Sequence, residues 1–259
     1  MTKVSVSRKN LLSLLSSFGT TVGDLRLRAK PVDGGGLLVA AVGYYTHYLR
    51  LTTTCDIEAA GSFAISDINA VRSFLKTGKE DDMTLHQEGE GKMLYLTCGN
   101  SKIHLPGKST VDSHTHVATI EKLLTAAAND KWVKWAERDL SCSAVLNSTS
   151  TQEVISIHTV LGENPLYTVD FYPNQSEAIV KAGKKSKGRM FVTIPLENVE
   201  GPEHKVTSVF GANFPINLRA LPTGELTLHM GEDTPIILLH EGTGACLVVF
   251  DCDYEEGWE

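Results

Sequence analysis

The chain has 259 residues, 42% of them hydrophobic and 21% charged, and its 31 acidic and 24 basic residues give a formal net charge of −7. This length predicts two domains of roughly 100 to 150 residues each, and the composition excludes a disordered or collagen-like chain. The acidic balance argues against a protein that grips nucleic acid over its whole surface, although it allows one locally basic face. Because no stretch of about 18 apolar residues occurs, we expect no membrane partner. We expect a cytoplasmic location in a bacterium or a virus-infected cell, or a nuclear one in a eukaryote.

The first hundred residues carry one pattern twice. Ser7 fits the N-cap of a helix that ends at Gly19, and apolar residues recur in it at three- and four-residue steps, at Leu11, Leu14, Leu15 and Phe18. Strands are predicted next at 24–30, 37–42 and 45–54. A strand at 62–65 then leads into a second helix, Ile68–Lys76, which is followed by strands at 83–87, 93–98 and 102–105. The duplication predicts a first domain, residues 1–106, with two similar halves.

The rest of the chain repeats the pattern less cleanly. A polar stretch rich in turn residues predicts an inter-domain connector at 107–118 and a second domain at 119–259. A helical stripe is predicted at Ile120, Leu123, Leu124 and Ala127, a short helix within 210–221, and a basic, flexible loop at Lys181–Arg189. Strands are predicted at 143–146, 154–160, 167–171, 190–194, 225–230, 235–239 and 245–250. In the acidic tail, 251–259, Tyr254 and Trp258 suit either a fold-back over a pocket or a bound partner.

Repeated half-domains, each with one helix against an antiparallel sheet, resemble the DNA sliding clamps: bacterial beta-clamp, phage clamp and proliferating cell nuclear antigen. Residues 6–12 look like the opening strand and first inner helix of a clamp, and 67–85 are similar to the second helix and the strand after it. Residues 224–238 and 244–250 look like the last strands of that family. The resemblance implies an α+β sliding-clamp (processivity) fold of two similar domains, with antiparallel sheets outside and helices lining the inner face.

A clamp needs no catalytic group, metal or cofactor, because topological linkage keeps it on DNA while sequence-independent phosphate contacts let it slide. The resemblance therefore implies a homotrimeric ring around duplex DNA that tethers a DNA polymerase, with basic residues on the helices facing the hole. These are Arg8, Lys9, Arg72, Lys76 and Lys79 in the first domain, and Lys122, Lys131, Lys134 and Arg219 in the second. For each of them, a merely solvated helix face is about equally common.

Polymerases and clamp loaders dock on clamps through short peptides with hydrophobic anchors, which need an apolar groove. The resemblance implies such a groove near the connector and the C-terminal strand, at Val111, Pro235, Leu247, Val249 and Phe250. Each of these residues could equally belong to the core.

Two other functions stay open. One is an interaction or structural protein with the clamp fold that does not encircle DNA. The other is a metal-dependent enzyme that uses His104, Asp112, His114 and His116, although a His-x-His pair in a polar linker is a weak indication of a metal site. Charge reversal on the inner helices would distinguish a clamp from the first, and metal analysis would test the second.

Overall fold

The computed structural model describes residues 1–19, 25–43, 47–89, 91–107, 133–135, 138–161, 165–184 and 188–252. These residues divide into two compact units. The first unit comprises the described residues of Met1–Gly43 and Arg50–Val117, and the second unit those of Tyr44–Leu49 and Ala118–Glu259. Apart from Gly107, the predicted connector lies outside the described residues, as does the predicted helix at Ile120–Ala127, and both stay predictions.

The described chain up to Gly107 alternates helices and strands in the predicted order. Its elements are β1 (Thr2–Ser7), α1 (Arg8–Ser16), β2 (Leu25–Val32), β3 (Gly35–Gly43), β4 (His47–Ala59), β5 (Gly61–Ile65), α2 (Ile68–Thr77), β6 (Asp82–Gln87), β7 (Leu94–Cys98) and β8 (Ser101–Leu105). Both predicted helices are confirmed. Ser7 caps α1 by accepting a hydrogen bond from the Asn10 amide, and Asp67 caps α2 by accepting one from the Ala70 amide at 2.8 Å.

The two halves of the first unit exchange their opening strands. β1 begins the first half but pairs antiparallel with β6, which follows the helix of the second half. β5 begins the second half but pairs antiparallel with β2, which follows the helix of the first. The remaining pairs, β1–β4, β6–β7, β7–β8 and β2–β3, extend these sheets, also antiparallel. The predicted duplication is therefore confirmed, and the halves are interlocked.

The described chain from Val133 onward contains a second such pair of halves. Its elements are β9 (Val133–Trp135), β10 (Arg138–Leu140), β11 (Cys142–Asn147), α3 (Thr151–Leu161), β12 (Tyr167–Tyr172), β13 (Glu177–Lys184), β14 (Gly188–Pro195), β15 (Glu197–Glu200), β16 (Val206–Phe210), α4 (Asn213–Leu218), β17 (Glu225–Met230), β18 (Ile236–His240) and β19 (Ala245–Val249). The opening strands β11 and β16 are again exchanged, since β11 pairs with β17 and β16 pairs with β12. Both units thus have the same topology.

Two sequence predictions for the second unit are wrong. Residues 154–160, predicted as a strand from their β-branched content, belong to helix α3. Their burial has the helical spacing, because Thr151, Val154 and Ile155 are all at most 6% exposed, and packing of that face overrides the local strand propensity. The predicted loop at 181–189 is mostly strand, since β13 extends to Lys184 and β14 starts at Gly188.

The predicted short helix within 210–221 is confirmed as α4. Strands β15 and β16 lie where the sequence analysis placed no element. Among the described residues, none of the helices has the length and apolar character needed to span a membrane.

Candidate nucleic-acid interface and partner site

Helices α1 and α2 are held together by two arginines, each reaching the last turn of the other helix. Arg8, at the start of α1, donates from Nη1 to the Leu75 carbonyl and from Nε to the Glu80 carbonyl, both at 2.8 Å. Arg72 of α2 donates from Nε to the Leu15 carbonyl of α1 at 3.0 Å, and its Nη2 bonds the same oxygen. The two helices therefore run antiparallel. We call these contacts the arginine clasp.

The linker between α2 and β6 anchors the start of α1. Asp81 accepts hydrogen bonds from the Lys9 amide at 3.2 Å and from the Ser7 hydroxyl at 3.0 Å, and its carbonyl accepts from the Arg8 amide. These bonds, led by the one from the Lys9 amide, hold the pKa of the Asp81 carboxyl below its ordinary value. Gly78 leaves room for the clasp, because a Cβ there would lie 2.8 Å from Arg8 Cδ.

The exposed face of this helix pair carries cations and small polar groups. Its exposed residues are Lys9, Asn10, Ser13 and Ser16 on α1, and Asn69, Ser73, Lys76 and Thr77 on α2. Neither helix contains an aspartate or glutamate, and the exposed Lys79 follows α2. In a chain with seven more acidic than basic residues, this face is a local exception. It has the charge needed to approach a phosphate backbone.

Two of the predicted DNA-facing residues need correction. Arg72 is only 8% exposed and Arg8 is half-buried, and both guanidinium groups are engaged with main-chain carbonyls. Burial also lowers the pKa of the Arg72 guanidinium. The sequence carried the signal, because Arg72 lies on the same helical stripe as the buried Ile68, Val71 and Leu75. Lys9, Lys76 and Lys79 stay candidates.

Both helices of the second unit contact Tyr167 of strand β12, α3 through a hydrogen bond with His158 and α4 through ring packing of Phe214. The Phe214 ring of α4 lies 5.3 Å from the Phe210 ring and 6.1 Å from the Tyr167 ring, centroid to centroid. The Tyr167 hydroxyl and His158 Nδ1 are hydrogen-bonded at 2.8 Å. Burial raises the pKa of Tyr167 to about 12, and burial together with the nearby Arg219 charge lowers the pKa of His158.

The exposed face of this second pair is nearly neutral. Its exposed residues are Gln152, Glu153, Ser156, Thr159 and Val160 on α3 and Ile216 on α4, with Arg219 just after α4. Val160 is 74% and Ile216 45% exposed. Arg219 is exposed and donates to the Thr159 hydroxyl at 3.2 Å. Lys122 and Lys131 lie outside the described residues, and Lys134 is on strand β9 rather than a helix.

The predicted peptide groove is only partly accessible. Leu247 and Val249 are 0% and 1% exposed because β19 is buried along its whole length, so both are core residues and that part of the prediction is wrong. Pro235 is also buried, and Val111 lies outside the described residues. Phe250 is half-buried, and its ring packs 5.3 Å from the Trp135 ring. The sequence analysis missed Trp135 as a neighbour of this site, since the two residues are far apart in the chain.

A cleft of about 650 Å³ lies in the first unit between the β2–β3 hairpin and the start of α1. Asp33, Asp56 and Asp82 line it, and no lysine or arginine of the described chain does. It is therefore unsuited to phosphate. Among the described residues, no group of three or more His, Cys, Asp or Glu side chains could hold a metal ion. Of the predicted metal cluster, His104 is described and packs its ring against Tyr95, whereas Asp112, His114 and His116 lie outside the described residues.

Comparison with solved structures identifies the fold. PCNA from Thermococcus kodakaraensis matches with a TM-score of 0.65 and 14% identity, over 97% of this chain and all of that one. A. fulgidus PCNA, bound to the C-terminal region of FEN-1, matches with the same score and identity over 99% and 100%. The Thermotoga maritima DNA polymerase III beta subunit matches with a TM-score of 0.71 and 11% identity, over 98% of this chain and 66% of that one. No protein-family profile and no curated protein sequence matches.

The protein thus has the fold of the DNA sliding clamps, as the sequence resemblance implied. The match extends over the whole length of the Thermococcus kodakaraensis PCNA chain and about two thirds of the bacterial beta subunit.

Proposed function

We propose that the protein is a sliding clamp, copies of which close into a ring around duplex DNA and tether a DNA polymerase for processive replication. The observation that carries this proposal is the cationic face of α1 and α2, at Lys9 and Lys76, in an acidic chain with the clamp fold. Sequence-independent phosphate contacts from this face suit sliding. This role needs no catalytic group. The proposed location is that of the DNA, which is the cytoplasm or, in a eukaryote, the nucleus.

Topological linkage to DNA can be tested without a clamp loader. The probe is a linear duplex tethered to a bead at one end, with the other end either open or blocked by a bulky protein. A ring threads over the open end, so binding to the open duplex should far exceed binding to the blocked one. Charge reversal by Lys9→Glu and Lys76→Glu should abolish the difference. Equal retention on both duplexes would favour the structural protein that does not encircle DNA.

We propose three copies per ring, since two-domain clamps are expected to be trimers. Among the strands at the edges of their described sheets are β8 in the first unit and β14 in the second, and edge strands have backbone groups to offer to another chain. Phe191 on β14 is 59% exposed, as suits a contact between copies. Head-to-tail pairing of one copy's β8 with the next copy's β14 would close the ring.

Sedimentation tests this assembly. The wild-type protein should sediment as a trimer, and Phe191→Asp should shift it to monomer. Val32→Asp, at a residue 43% exposed on the β2–β3 hairpin, is the matched control and should stay trimeric. A wild-type protein that is monomeric at micromolar concentration would count against the ring.

The partner site is proposed around Phe250 and Trp135, where a peptide with hydrophobic anchors would dock. The A. fulgidus PCNA structure contains the C-terminal region of FEN-1, and a Helicobacter pylori beta clamp structure contains a DNA ligase peptide. Both peptides serve as labelled probes in fluorescence polarisation. Phe250→Ala should weaken whichever peptide binds by about tenfold or more, whereas Met93→Ala should not. An unchanged affinity in Phe250→Ala would exclude this site.

A further inference from the structure

We propose that Arg8 and Arg72 position the lysines that bind DNA and do not themselves contact it. This inference rests on the proposed function, because it assigns roles within the cationic face of α1 and α2. It divides the five basic residues predicted in the first domain into two classes. Lys9, Lys76 and Lys79 face solvent, and the two arginines face main-chain carbonyls.

Each exposed lysine on α1, α2 and the linker after α2 is next in sequence to a residue of the arginine clasp. Lys9 follows Arg8, the donor. Lys76 follows Leu75, whose carbonyl accepts from Arg8 Nη1, and Lys79 precedes Glu80, whose carbonyl accepts from Arg8 Nε. The clasp therefore joins the three backbone segments that carry the lysines.

Arg8 and Arg72 each donate to a main-chain carbonyl in the last turn of the other helix. Carbonyls in the last turn of a helix lack full intrahelical partners and form the negative end of the helix dipole. A buried guanidinium donates hydrogen bonds to these carbonyls. The negative end of the helix dipole in turn offsets part of the guanidinium charge. At 8% exposure, Arg72 has little surface to offer a phosphate. Of the five basic residues on this helix pair and its linker, the three lysines are the ones that present their cations to solvent.

The contacts of Arg72 require a guanidinium group. Arg72 uses three nitrogens, two on the Leu15 carbonyl and one on the Asn69 side chain, where Nη1 and Oδ1 are 3.4 Å apart. A lysine ammonium is a single point charge on a flexible stem and cannot reproduce this fork. Arg72→Lys therefore keeps the charge but removes the positioning.

The experiment measures the affinity for a short duplex over a series of salt concentrations. Lys76→Met should reduce the slope of log affinity against log salt by about 0.9, the value for one phosphate that the protein no longer neutralises. Arg72→Lys should behave like Arg72→Met, and each should weaken binding. In an Arg8→Lys background, Lys76→Met should have a smaller effect than in the wild type, because Arg8 no longer holds the Leu75 carbonyl next to Lys76.

Other outcomes would overturn the inference. If Arg72→Lys binds like the wild type while the slope for Arg72→Met falls by about 0.9, Arg72 itself binds a phosphate. If Lys76→Met has the same effect in the wild-type and Arg8→Lys backgrounds, Arg8 contributes stability only and does not position Lys76. If the Arg72 variants fail to fold, Gly78→Ala gives a second test that changes no charge. The added Cβ would crowd Arg8 Cδ, so this variant should also weaken DNA binding. Gly35→Ala, which has open space around the new Cβ, is its control.

Hydrogen exchange separates this inference from the proposed function, since it requires no DNA. Amides in the last turn of α1 should exchange about tenfold faster in Arg72→Lys, as expected when charge-assisted hydrogen bonds are removed. Unchanged exchange would refute the clasp. Faster exchange in Arg72→Lys, together with a wild-type protein that shows no salt-dependent DNA binding, would retain the clasp and refute the DNA role.

Discussion

The two units have one topology but pack their helices with different chemistry. In the first unit, guanidinium groups of Arg8 and Arg72 reach helix carbonyls, and the exposed face carries lysines. In the second, the rings of Phe210, Phe214 and Tyr167 pack together, and the exposed face is close to neutral. The exchanged strands fix the topology in both cases. The same topology therefore accepts helix pairs of different chemistry, and only the helix pair of the first unit presents a cationic face among the described residues.

The largest effect expected from this comparison is on stability. Phe210 is fully buried and its ring stacks on Phe214 of α4, so Phe210→Ala should lower the free energy of unfolding by about 3–5 kcal/mol. Urea denaturation measures the change. The matched variant Val160→Ala, at an exposed side chain on α3, should cost much less. Equal decreases in the two variants would mean that the aromatic packing does not stabilise the second unit.

The second-largest effect is expected on the affinity for duplex DNA. Replacing Lys9, Lys76 and Lys79 together by methionine should weaken duplex binding by about 10- to 100-fold at moderate salt and reduce the salt slope by about 0.9 for each phosphate no longer neutralised. Arg219→Met in the second unit should change the slope by no more than about 0.9. Titration of a labelled duplex at several salt concentrations checks both. A larger change from Arg219→Met would reverse the assignment of binding to the first unit.

Acid should weaken the second unit. Burial lowers the pKa of His47 to about 4 and also lowers the pKa of His229, which is 8% exposed. Both are neutral in the fold, whereas the unfolded chain takes up protons below about pH 6.5. The stability that these two histidines contribute is therefore full above about pH 6.5. It is lost as the pH falls toward their lowered pKa values in the folded protein. Unfolding free energy should drop by about 1–2 kcal/mol from pH 7 to pH 5.

Matched histidine variants test this pH dependence. His47→Gln should reduce the drop in unfolding free energy, as measured by urea denaturation at the two pH values. His104→Gln, at an exposed ring of the first unit, should leave it unchanged. A drop that persists in full in His47→Gln would assign the acid sensitivity to other groups.

The smallest expected effect is a gain in DNA affinity from a lysine added to the second unit. Val160 on α3 is 74% exposed, and Val160→Lys adds a cation there without burying it. If this face also approaches DNA, affinity should rise about two- to fivefold with a slope increase of about 0.9. Val32→Lys, on the β2–β3 hairpin, is the control. No rise in affinity for Val160→Lys would mean that DNA touches only the first unit.

The sequence predicted elements best where caps and periodicity agree. Helix α1 has Ser7 as its cap and a regular apolar stripe, and α2 has Asp67 and another, so both were found. Helix α3 was missed because its Val and Ile residues favour strands locally, and only packing in the folded unit reveals its helical spacing. Element type was thus predictable where local and tertiary preferences coincide.

The candidate sites were less predictable than the fold. Whether a basic residue faces solvent depends on its partners, and Arg72 finds its partner, Leu15, 57 residues away. Leu247 and Val249 were read as groove residues, but β19 is covered on both faces and shows no alternation that would mark an open side. Trp135 and Phe250 pack together from distant segments, which no local pattern reports.

The exchange of opening strands has a consequence for how the chain reaches its fold. Val4 pairs with Leu85, and Leu27 pairs with Phe63, so neither half of the first unit can complete its sheet before the other is synthesised. Such high contact order predicts slow folding. In a chain cut at the exposed Ala60, the first-unit residues on both sides of the cut should be unfolded while the fragments are separate and should fold when the fragments are mixed. The interlocked halves thus make each unit an indivisible folding module, and the unit rather than the half is the smallest piece that could be transplanted.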